Sequence, residues 1–390
     1  MTRGQAVVVG GGIGGLAAAV GLRRAGWTVR VLERSAAPGE VGAGISLWGN
    51  ALAALEALGV AGSIRALGTM AGEGGIQTPR GRWLSRSSGA AMHREHDVSV
   101  LMVHRTELHR ELRAALPDDV VSSGTMVTAV TQDEAGVRVQ HTGSDGDHTL
   151  TADLVIGADG VRSRTRCALW PDAPAPEYAG FTAWRGVTDE AFSLDCQSQT
   201  WGRGAEFGAT QLVDGRVYWF GTANAPEGAA AEDEHAEVLR RFGAWHPPIA
   251  EVIEATSPAA VLRHDIYQHP RPLPPFTGGR VALLGDAAHA MTPGLGQGAC
   301  VTLEDAVTLA AELAAGSDVT TALRRYDAVR RPRTEAVAKQ SAQMSRMAQA
   351  QHPAVIGLRA AFIAATPARL GVASMTRTFR WTPPTIRPAP

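Results

Sequence analysis

The sequence predicts an α/β fold in which a Rossmann-like domain carries an inserted antiparallel sheet and is followed by C-terminal helices. Two apolar runs, residues 6–9 and 280–284, each end in a glycine-containing turn, which is typical of parallel strands that hold a nucleotide. Between them, residues 181–221 contain short aromatic-rich stretches with the spacing of β-strands. The first domain is therefore expected to be discontinuous, with the antiparallel sheet inserted into it.

The N-terminal segment predicts a βαβ unit, with strands at residues 6–9 and 28–32 and a helix of small residues at 13–25. Glu33 follows the second strand, where a carboxylate accepts hydrogen bonds from a ribose and repels a 2′-phosphate. The resident cofactor is therefore expected to be a dinucleotide other than NADP.

The turn after the first strand has the spacing Gly10-x-Gly12-x-x-Gly15. Gly10 permits the tight turn, Gly12 lets the backbone approach a pyrophosphate, and Gly15 lets the helix pack on the strand. The helix N-terminus then presents free N–H groups and the positive end of its dipole to the phosphates. This motif predicts dinucleotide binding, but it does not distinguish NAD from FAD.

The rest of the chain alternates between elements of the parallel sheet and antiparallel strands. The helix expected at residues 50–58 has Asn50 as its candidate cap. The other expected elements are a strand at 99–103, a helix at 105–115, a meander over 127–141 and 148–150, a strand at 154–156, aromatic strands at 181–187, 199–201, 207–212 and 217–221, and helices at 231–242, 249–255, 297–313 and 322–347.

Five further segments carry a resemblance to a known family. They are residues 41–45 (VGAGI), 104–108 (HRTEL), 159–166 (DGVRSRTR), 285–298 (GDAAHAMTPGLGQG) and 330–333 (RRPR). With the first glycine turn, they resemble the class A, single-component FAD-dependent aromatic monooxygenases, the para-hydroxybenzoate hydroxylase-like family. The resemblance extends over residues 5–335 and is closest to the urate, salicylate and 3-hydroxybenzoate 6-hydroxylase types.

The resemblance implies FAD as the bound cofactor and NADH or NADPH as a transient electron donor. It assigns to FAD the residues Gly10, Gly12, Ile13, Gly14, Gly15, Glu33, Arg34, Gly44, Arg105, Asp159, Gly160, Gly285, Asp286, Pro293, Gly296, Gln297 and Gly298. Among these, Asp286 is expected at the ribityl hydroxyls, Arg105 at the ribityl-phosphate region, and Asp159 with Gly160 near the pyrophosphate. Backbone N–H groups at the start of the helix after Gly296 can stabilise the negative charge of reduced flavin.

The change in sequence character after Pro171 and the later return to the parallel sheet divide the chain into three expected parts. They are a discontinuous FAD-binding domain at 1–72, 97–171 and 270–335, a substrate-binding domain at 73–96 and 172–269, and a C-terminal helical region with a tail at 336–390.

The implied function is hydroxylation of an aromatic or electron-rich small molecule with NAD(P)H and O2, through a flavin C4a-hydroperoxide. Two alternatives stay open: a flavin-dependent epoxidase or tailoring oxidase of secondary metabolism, and a flavin-binding protein without turnover. The sequence does not identify the substrate or choose between NADH and NADPH.

Candidate catalytic residues lie in the inserted sheet and in the flavin loop. Tyr218 is a candidate base, Arg185 a candidate anchor for an anionic substrate, and Pro293 is expected to fix the loop near the ring edge. Glu206 aligns with an arginine of the urate hydroxylase type, which argues against urate as the substrate. Five aromatic residues either form the core of the sheet or line a flat pocket: Trp184, Trp201, Tyr218, Trp219 and Phe220.

Three polar residues near the late motif are given structural roles. His289 is expected to be a structural residue, and Glu304 and Asp305 are expected to face solvent or to cap a helix. No metal role is assigned to them.

Composition restricts the compartment and the partners. The net charge of −1 provides no field for nucleic acid or an anionic membrane. The three cysteines are widely spaced, and no apolar run approaches the ~20 residues that span a bilayer. Since the first strand follows without a leader, we expect a cytoplasmic protein. We also expect a monomer or homodimer that binds a small aromatic substrate and O2, with no metal, nucleic acid or membrane.

Overall fold

The fold was analysed in a computed structural model of the chain, and it confirms the predicted α/β class. The structure describes residues 3–37, 43–70, 72–88, 100–366, 376 and 378–387. The first two residues of the 41–45 motif, the first residue of the strand expected at 99–103 and part of the expected 73–96 segment lie outside these ranges.

The strands are, in chain order, β1 (Gln5–Val9), β2 (Thr28–Leu32), β3 (Gly44–Trp48), β4 (Gly68–Met70), β5 (Glu73–Gln77), β6 (Trp83–Ser88), β7 (Val100–His104), β8 (Val121–Ser122), β9 (Met126–Asp133), β10 (Gly136–Gly143), β11 (Gly146–Ala152), β12 (Leu154–Gly157), β13 (Glu177–Val187), β14 (Gln197–Trp201), β15 (Ala205–Gln211), β16 (Val217–Asn224), β17 (Leu262–Gln268), β18 (Thr277–Gly278) and β19 (Val281–Leu283).

The helices are α1 (Ile13–Arg24), α2 (Gly49–Leu58), α3 (Ala61–Ala66), α4 (Arg105–Ala114), α5 (Arg164–Leu169), α6 (Glu234–Phe242), α7 (Ile249–Glu254), α8 (Asp286–His289), α9 (Gly298–Ala314), α10 (Val319–Ala348) and α11 (Pro353–Ala365). Short 3₁₀ turns lie at Asp118–Val120 and Pro258–Ala260.

A six-stranded sheet in the order β18-β19-β12-β1-β2-β8 forms the centre of the nucleotide-binding half. Strands β19, β12, β1 and β2 run parallel, so the early and late glycine turns belong to the same edge of one sheet. The expected return of residues 280–284 to this sheet is confirmed by the pairing of β19 with β12.

Helix α1 packs closely against α9 because small residues face the contact. A Cβ on Gly14 would lie 2.5 Å from Thr302 Cγ2, and one on Gly21 would lie 2.9 Å from Ala310 Cβ. The glycines therefore set the distance between the two helices, and with it the position of the start of α9 relative to the first turn.

The predicted meander is confirmed as the sheet β11-β10-β9. It packs on the face of the six-stranded sheet opposite to α1, and its core includes Val137 and Val139 against Val7 and Val155.

A seven-stranded sheet, β17-β13-β16-β15-β14-β5-β6, forms the second half of the molecule. Its pairings are antiparallel except for β14 with β5. A small sheet, β3-β7-β4, lies at the junction of the two halves, where Ala43 and Met102 pack with Val187 and Tyr218 of the large sheet.

Strand alternation separates the predicted aromatic residues into two groups. Trp184 and Trp219 belong to the apolar core formed with Phe207 and with Phe242 of α6, so the core interpretation holds for them and the pocket interpretation is wrong. Tyr218 and Phe220 lie on the opposite face of the sheet, because successive side chains of a strand point to opposite sides.

The predicted cap of α2 is wrong. The helix begins at Gly49 after Trp48, so Asn50 is inside its first turn, and the Asn50 side chain is fully buried against Gln297 and Glu304. A buried carboxylate partner captures the amide more strongly than an exposed helix end does.

Within the part of the chain that the structure describes, no helix is both long enough and apolar enough to cross a bilayer. Over the same residues, no group of three or more His, Cys, Asp or Glu side chains is arranged to hold a metal ion.

Candidate functional site

Three turns converge at the carboxyl edge of the six-stranded sheet. They follow the adjacent strands β1, β12 and β19 and begin at Gly10, Ala158 and Leu284. Backbone hydrogen bonds join neighbouring turns to the sheet, from Ala158 N to Val9 O at 2.8 Å and from Leu284 N to Gly157 O at 3.0 Å. The crevice outside the carboxyl ends of parallel strands is where this class of fold binds its ligand.

The first turn has the geometry that its glycines predict. Gly10 has φ of 102°, and a Cβ there would lie 2.5 Å from Ala158 O, while a Cβ on Gly15 would lie 1.9 Å from Gly10 O. A Cβ on Gly12 would meet no atom within 4 Å, so the backbone at this position is open to a ligand. Ile13 and Gly14 begin α1 directly behind it.

Glu33 closes the far side of the first turn. Its Oε2 accepts a hydrogen bond from Gly11 N at 2.6 Å, and its Oε1 accepts one from Ser35 N at 2.8 Å. Each oxygen keeps a second lone pair for a ribose hydroxyl. The side chain of Arg34 is exposed, and His109 of α4 contacts Gly11 O through Nε2 at 2.8 Å.

In the second turn, both oxygens of the Asp159 carboxylate accept hydrogen bonds from protein groups. Oδ1 accepts from Ser163 Oγ at 2.6 Å, and Oδ2 accepts from the backbone N and the Oγ1 of Thr165 at 3.0 and 3.1 Å. These bonds hold the start of α5 against the turn. The residue left open is Gly160, whose φ is 78° and whose added Cβ would meet nothing within 4 Å.

The third turn presents Asp286 from a firmly held backbone. Gly285 has φ of 60°, and its N donates to Asp305 Oδ2 at 3.2 Å. The Asp286 side chain is exposed, while its backbone O contacts His269 Nε2 at 3.0 Å. Burial, followed by the charge of Arg166, lowers the pKa of His269 to about 4, so this imidazole is neutral where it supports the turn.

A loop before α9 lies against the long helix α10. Ser341 Oγ donates to Thr292 O at 2.6 Å and accepts from Leu295 N at 3.2 Å. Gly294 has no room for a side chain, since a Cβ would lie 2.6 Å from Ser341 O. Pro293 and Gly296 are the residues of this loop that stay exposed, as expected for a loop that faces a ligand.

A fully buried charge network lies behind the turns, and it contradicts the expected exposure of Glu304 and Asp305. Arg330 donates to Glu304 Oε2 at 2.6 Å and to Asp305 Oδ1 at 2.7 Å. Burial alone would lower the pKa of Arg330, but the charges of Asp305 and Glu304 outweigh it and raise that pKa. His289 contacts Asp305 Oδ2 at 2.5 Å, which confirms its structural role.

Arg105, Arg185 and Asp286 share one electrostatic environment in the cleft. Arg105 begins α4, its backbone N donates to Ala43 O at 2.8 Å, and its side chain keeps solvent-accessible area. Desolvation by the cleft walls lowers the pKa of Arg105, the positive charge of Arg185 lowers it further, and Asp286 raises it. The parallel-sheet half and the large sheet therefore both contribute charge to this place.

Tyr218 lies where the small and large sheets meet. Gly44 is required there by packing, because a Cβ on it would lie 2.4 Å from Tyr218 Cγ. Burial raises the pKa of the Tyr218 hydroxyl, and the charges of Arg185 and Arg105 oppose this effect only in part. A phenol that stays protonated at neutral pH suits a hydrogen-bond donor better than the base expected from the sequence.

Register places further polar residues on the same face of the large sheet. Val187 is opposite Tyr218 and Arg185 is opposite Phe220, so these four side chains share a face. His264 belongs to it as well, because it is opposite Ala183, two residues from Arg185. Desolvation, Arg185 and Arg105 lower the pKa of His264, which keeps its imidazole neutral.

Glu206 stands further along this face, opposite Thr222. Protein atoms enclose the carboxyl group, although the residue as a whole is only half-buried. Burial raises the pKa of Glu206 to about 7, against a hydrogen bond from Trp201 Nε1 at 3.1 Å and the charge of Arg359. Trp201 itself packs with Leu84 and with Ile363 of α11.

Sequence reasoning missed His109, His264 and His269, which contact or face the three turns and the large sheet. No motif marks them, since each acts from an element that is distant in sequence. The position of His264 within its strand was a usable signal. It determines the face of the sheet on which His264 lies, once β17 is paired with β13.

The residues of the cleft fit FAD. Gly12, Gly160 and Gly298 leave open space where a Cβ would stand, so backbone N–H groups there can be approached closely by phosphates or a ring edge. Asp286 and Glu33 supply acceptors for sugar hydroxyls, and Arg105 supplies a cation. The set has hydrogen-bonding partners for a nucleotide, a polyol chain and a ring.

Comparison with known proteins agrees with this geometry. The FAD binding domain family matches residues 3–341. The chain is 41% identical over 327 residues to aurachin C monooxygenase/isomerase of Stigmatella aurantiaca, covering 83% of this chain and 84% of that protein. It is 35% identical over 332 residues to the FAD-dependent urate hydroxylase of Klebsiella pneumoniae, covering 84% and 85%.

Solved structures give the same result. The structure of Klebsiella pneumoniae HpxO complexed with FAD and uric acid aligns with a TM-score of 0.89 at 30% identity, over 96% of each chain. A salicylate hydroxylase substrate complex shares the fold, with a TM-score of 0.75 at 23% identity over 97% of this chain and 98% of that one. The chain therefore belongs to the FAD binding domain family and is an FAD-dependent monooxygenase.

Proposed function

We propose that this enzyme hydroxylates a small aromatic or electron-rich ring that binds between the large sheet and the three turns. One observation carries the proposal: the face with Tyr218, Phe220 and Arg185 meets the cleft that contains Arg105 and Asp286. A flat apolar surface with a few converging polar groups, placed beside a cofactor crevice, is the usual form of a small-molecule site.

We assign FAD to the three turns and the loop before α9. Gly10 to Gly15 and Gly160 would receive the pyrophosphate, Glu33 the adenosine ribose, Arg105 and Asp286 the ribityl chain, and residues 293–298 the ring. Bound FAD takes electrons from NADH or NADPH, the donors typical of this family, and supplies them to O2 for insertion of one oxygen atom into the substrate. Firm anchoring of the backbone around Asp159, Gly285 and Ser341 would keep these contacts in place during turnover.

On the substrate side, the charged groups favour an anionic or ionisable ring substituent. Arg185 and the protonated hydroxyl of Tyr218 can donate hydrogen bonds to an oxygen of the substrate. The neutral imidazole of His264 can accept a proton from a phenolic or ring N–H group, which raises the electron density of the ring. Val187 and Phe220 would restrict water around the ring.

We expect Glu206 to make the substrate of this chain different from urate. Two relatives of the chain are named aurachin C monooxygenase/isomerase and FAD-dependent urate hydroxylase. A buried carboxyl group at this position would accept a hydrogen bond from a substrate N–H or O–H and would disfavour a second negative charge. We therefore propose a heteroaromatic or phenolic substrate with one ionisable group at the Arg185 end and a neutral donor at the Glu206 end.

The test is substrate-stimulated turnover of the purified holoenzyme. Phenolic and heteroaromatic compounds, with and without a carboxylate, would be scored by NADH or NADPH oxidation and O2 uptake, with product identified by a mass increase of one oxygen atom. We expect a subset to accelerate flavin reduction. If the yellow protein has full FAD content but no compound of the panel stimulates NAD(P)H oxidation, it is a flavin-binding protein without this turnover.

Recognition by Arg185 and His264 is tested on the same panel. Arg185→Met is expected to raise KM selectively for carboxylate-bearing compounds, while neutral ones change little. His264→Asn is expected to move the acidic limb of the kcat/KM profile for phenolic compounds. The matched control is Arg203→Met, since Arg203 is exposed on the turn between β14 and β15.

We also propose that the enzyme acts in the cytoplasm as a monomer or homodimer. Cys167, Cys196 and Cys300 are free thiols, which fits a reducing compartment. Size-exclusion chromatography with light scattering of the holoenzyme determines the oligomeric state.

A further inference from the structure

A row of buried side chains connects helix α10 to the start of α9. Arg333 donates to both oxygens of Glu304, at 2.6 Å each, and Arg330 donates to Glu304 Oε2 at 2.6 Å. Asn50 Nδ2 donates to Glu304 Oε1 at 2.7 Å and to Gln297 Oε1 at 2.9 Å. Asn50, Gln297 and Glu304 each have 0% exposure, so water does not compete for these bonds.

This row fixes the orientation of two amides that are otherwise ambiguous. Arg330 and Arg333 both donate to the Glu304 carboxylate, and a carboxylate only accepts hydrogen bonds. Asn50 must therefore turn its NH2 group toward Glu304. The second hydrogen of that NH2 group reaches Gln297, which must present its oxygen in return. The NH2 group of Gln297 is thus directed away from Asn50 by the charge of Glu304.

Gln297 Nε2 is buried, and among the described residues it has no hydrogen-bond partner. A buried amide donor without an acceptor is costly, and native structures seldom keep one without a reason. A second such donor lies nearby: Trp48 Nε1 is also buried without a partner in the described chain, 3.4 Å from where a Cβ on Gly296 would stand. Two buried donors without a partner among the described residues therefore lie at the loop of residues 293–298, in a chain that belongs to an FAD-binding family.

An acceptor-rich ring edge would satisfy such donors. The pyrimidine part of a flavin carries two carbonyl oxygens and ring nitrogens, and its reduced anion holds negative charge there. Gly298, next to Gln297, leaves open space in place of a side chain, so the approach is not blocked at the first residue of α9.

We propose that Gln297 donates a side-chain hydrogen bond to the flavin ring and that Asn50 is the positioning residue that directs this donor, with Glu304 as its anchor. The inference depends on FAD binding and not on the identity of the substrate. The bond strengthens when the ring becomes negative, so the Gln297 amide is expected to raise the reduction potential of the bound flavin.

The test is a double-mutant cycle on the substrate-free holoenzyme, with the flavin midpoint potential as the readout. Gln297→Met removes the donor at similar volume, and Asn50→Leu leaves Gln297 present but undirected. Each is expected to weaken binding of reduced relative to oxidised FAD by about tenfold, which is about 30 mV for a two-electron couple. The double variant is expected to match Gln297→Met alone, because Asn50 acts through Gln297.

Two results would overturn the inference. The first is an unchanged potential in Gln297→Met at normal FAD content and melting temperature. The second is an Asn50→Leu shift that is undiminished in the Gln297→Met background, which would make the Asn50 effect a structural one. The control is Gln211→Met in strand β15. The Nε2 of Gln211 donates to the carbonyls of Phe192 and Gly215, so its loss should leave the potential unchanged.

The cycle is independent of the proposed function. If no aromatic compound stimulates turnover but the potentials shift as expected, the role of Gln297 stands and the hydroxylase proposal fails. If turnover is found and the potentials do not move, the reverse holds.

Discussion

The two halves of the cleft differ in how their polar groups are satisfied. On the cofactor side, protein partners hold the key carboxylates: Asp159 by Ser163 and Thr165, and Asp305 by Arg330. On the large sheet, Arg185 lies on the face that carries Tyr218 and Phe220, and Glu206 lies further along the same face, opposite Thr222. The buried carboxyl group of Glu206 has a pKa raised to about 7 by desolvation.

This difference reflects two requirements. A cofactor with many fixed contacts needs turns that keep one geometry, and saturated networks provide this because each member has one arrangement that satisfies all others. A substrate must enter and leave, so its recognition groups retain unused hydrogen-bonding capacity, at a cost in stability. The comparison predicts that substitutions on the cofactor side act on folding or FAD retention, and those on the sheet act on pH dependence and KM.

The largest effect is expected for Arg330→Met. This change leaves Asp305 and Glu304 buried with one cation fewer, so the free energy of unfolding should fall by about 3–5 kcal/mol. Denaturant unfolding of the holoenzyme measures it. The control is Arg331→Met, which removes a partly exposed ion pair with Asp327 and should cost under about 1 kcal/mol. Equal losses in the two variants would show that the buried network contributes no more to stability than the partly exposed ion pair does.

On the large sheet, the largest effect is expected for Glu206→Gln, which should change the pH dependence of the free energy of unfolding. The pKa of Glu206 is about 7 when folded and near 4.5 when unfolded, so between these values the folded state keeps a proton that the unfolded state has lost. Stability is therefore present below pH 4.5 and is lost as pH rises through 7. Glutamine removes this dependence and keeps an acceptor for Trp201.

The measurement is urea unfolding of variant and wild type at a series of pH values from 4.5 to 8. The variant should gain up to about 3 kcal/mol relative to wild type across this range. The control is Glu56→Gln, which removes an exposed ion pair with Arg65 and should change the free energy of unfolding by under about 1 kcal/mol. A flat difference for Glu206→Gln would mean that this carboxyl group ionises normally and that the contrast between the two halves is overstated.

The cofactor half was the more predictable from sequence, for a physical reason. Its turns depend on backbone geometry that only glycine accepts, as at Gly10 and Gly285, so the constraint is written in residue type at fixed spacing. The parallel strands and the meander also followed from apolar periodicity. The buried role of Glu304 and Asp305 did not, because it depends on Arg330 from another helix.

The substrate half was less predictable because its site depends on register. The sequence spacing could not decide whether Trp184 or Tyr218 faces the cleft, since adjacent strands can slip by one residue and exchange faces. In the structure, Trp184 packs in the core with Phe242, whereas Tyr218 packs with Ala43 at the junction of the two halves. Asn50 was wrongly expected as a cap for a related reason: its true partners, Gln297 and Glu304, are about 250 positions away.

A smaller effect than either of these is expected for Asp286→Ala, which tests the cofactor side without unfolding it. Its carboxylate is exposed, so folding should change little, while hydrogen bonds to a charged group contribute about 1.5–3 kcal/mol to binding. FAD affinity should fall by about 10-fold to 100-fold, measured by flavin fluorescence on dilution. Asp172→Ala, another exposed aspartate, is the control. Retention of FAD at the wild-type level would remove Asp286 from the site.

The smallest expected effect is that of Tyr218→Phe, which separates donor from base on the substrate face. Burial raises the pKa of the Tyr218 hydroxyl, so at neutral pH this group donates a hydrogen bond and does not accept the substrate proton. Loss of one neutral hydrogen bond costs about 0.5–1.5 kcal/mol, which predicts a rise in KM of about 2-fold to 12-fold with kcat nearly unchanged. The ring still fills the space against Gly44, so packing is preserved. A loss of kcat that depends on pH, with KM unchanged, would instead make Tyr218 the base and would move the proton-accepting role away from His264.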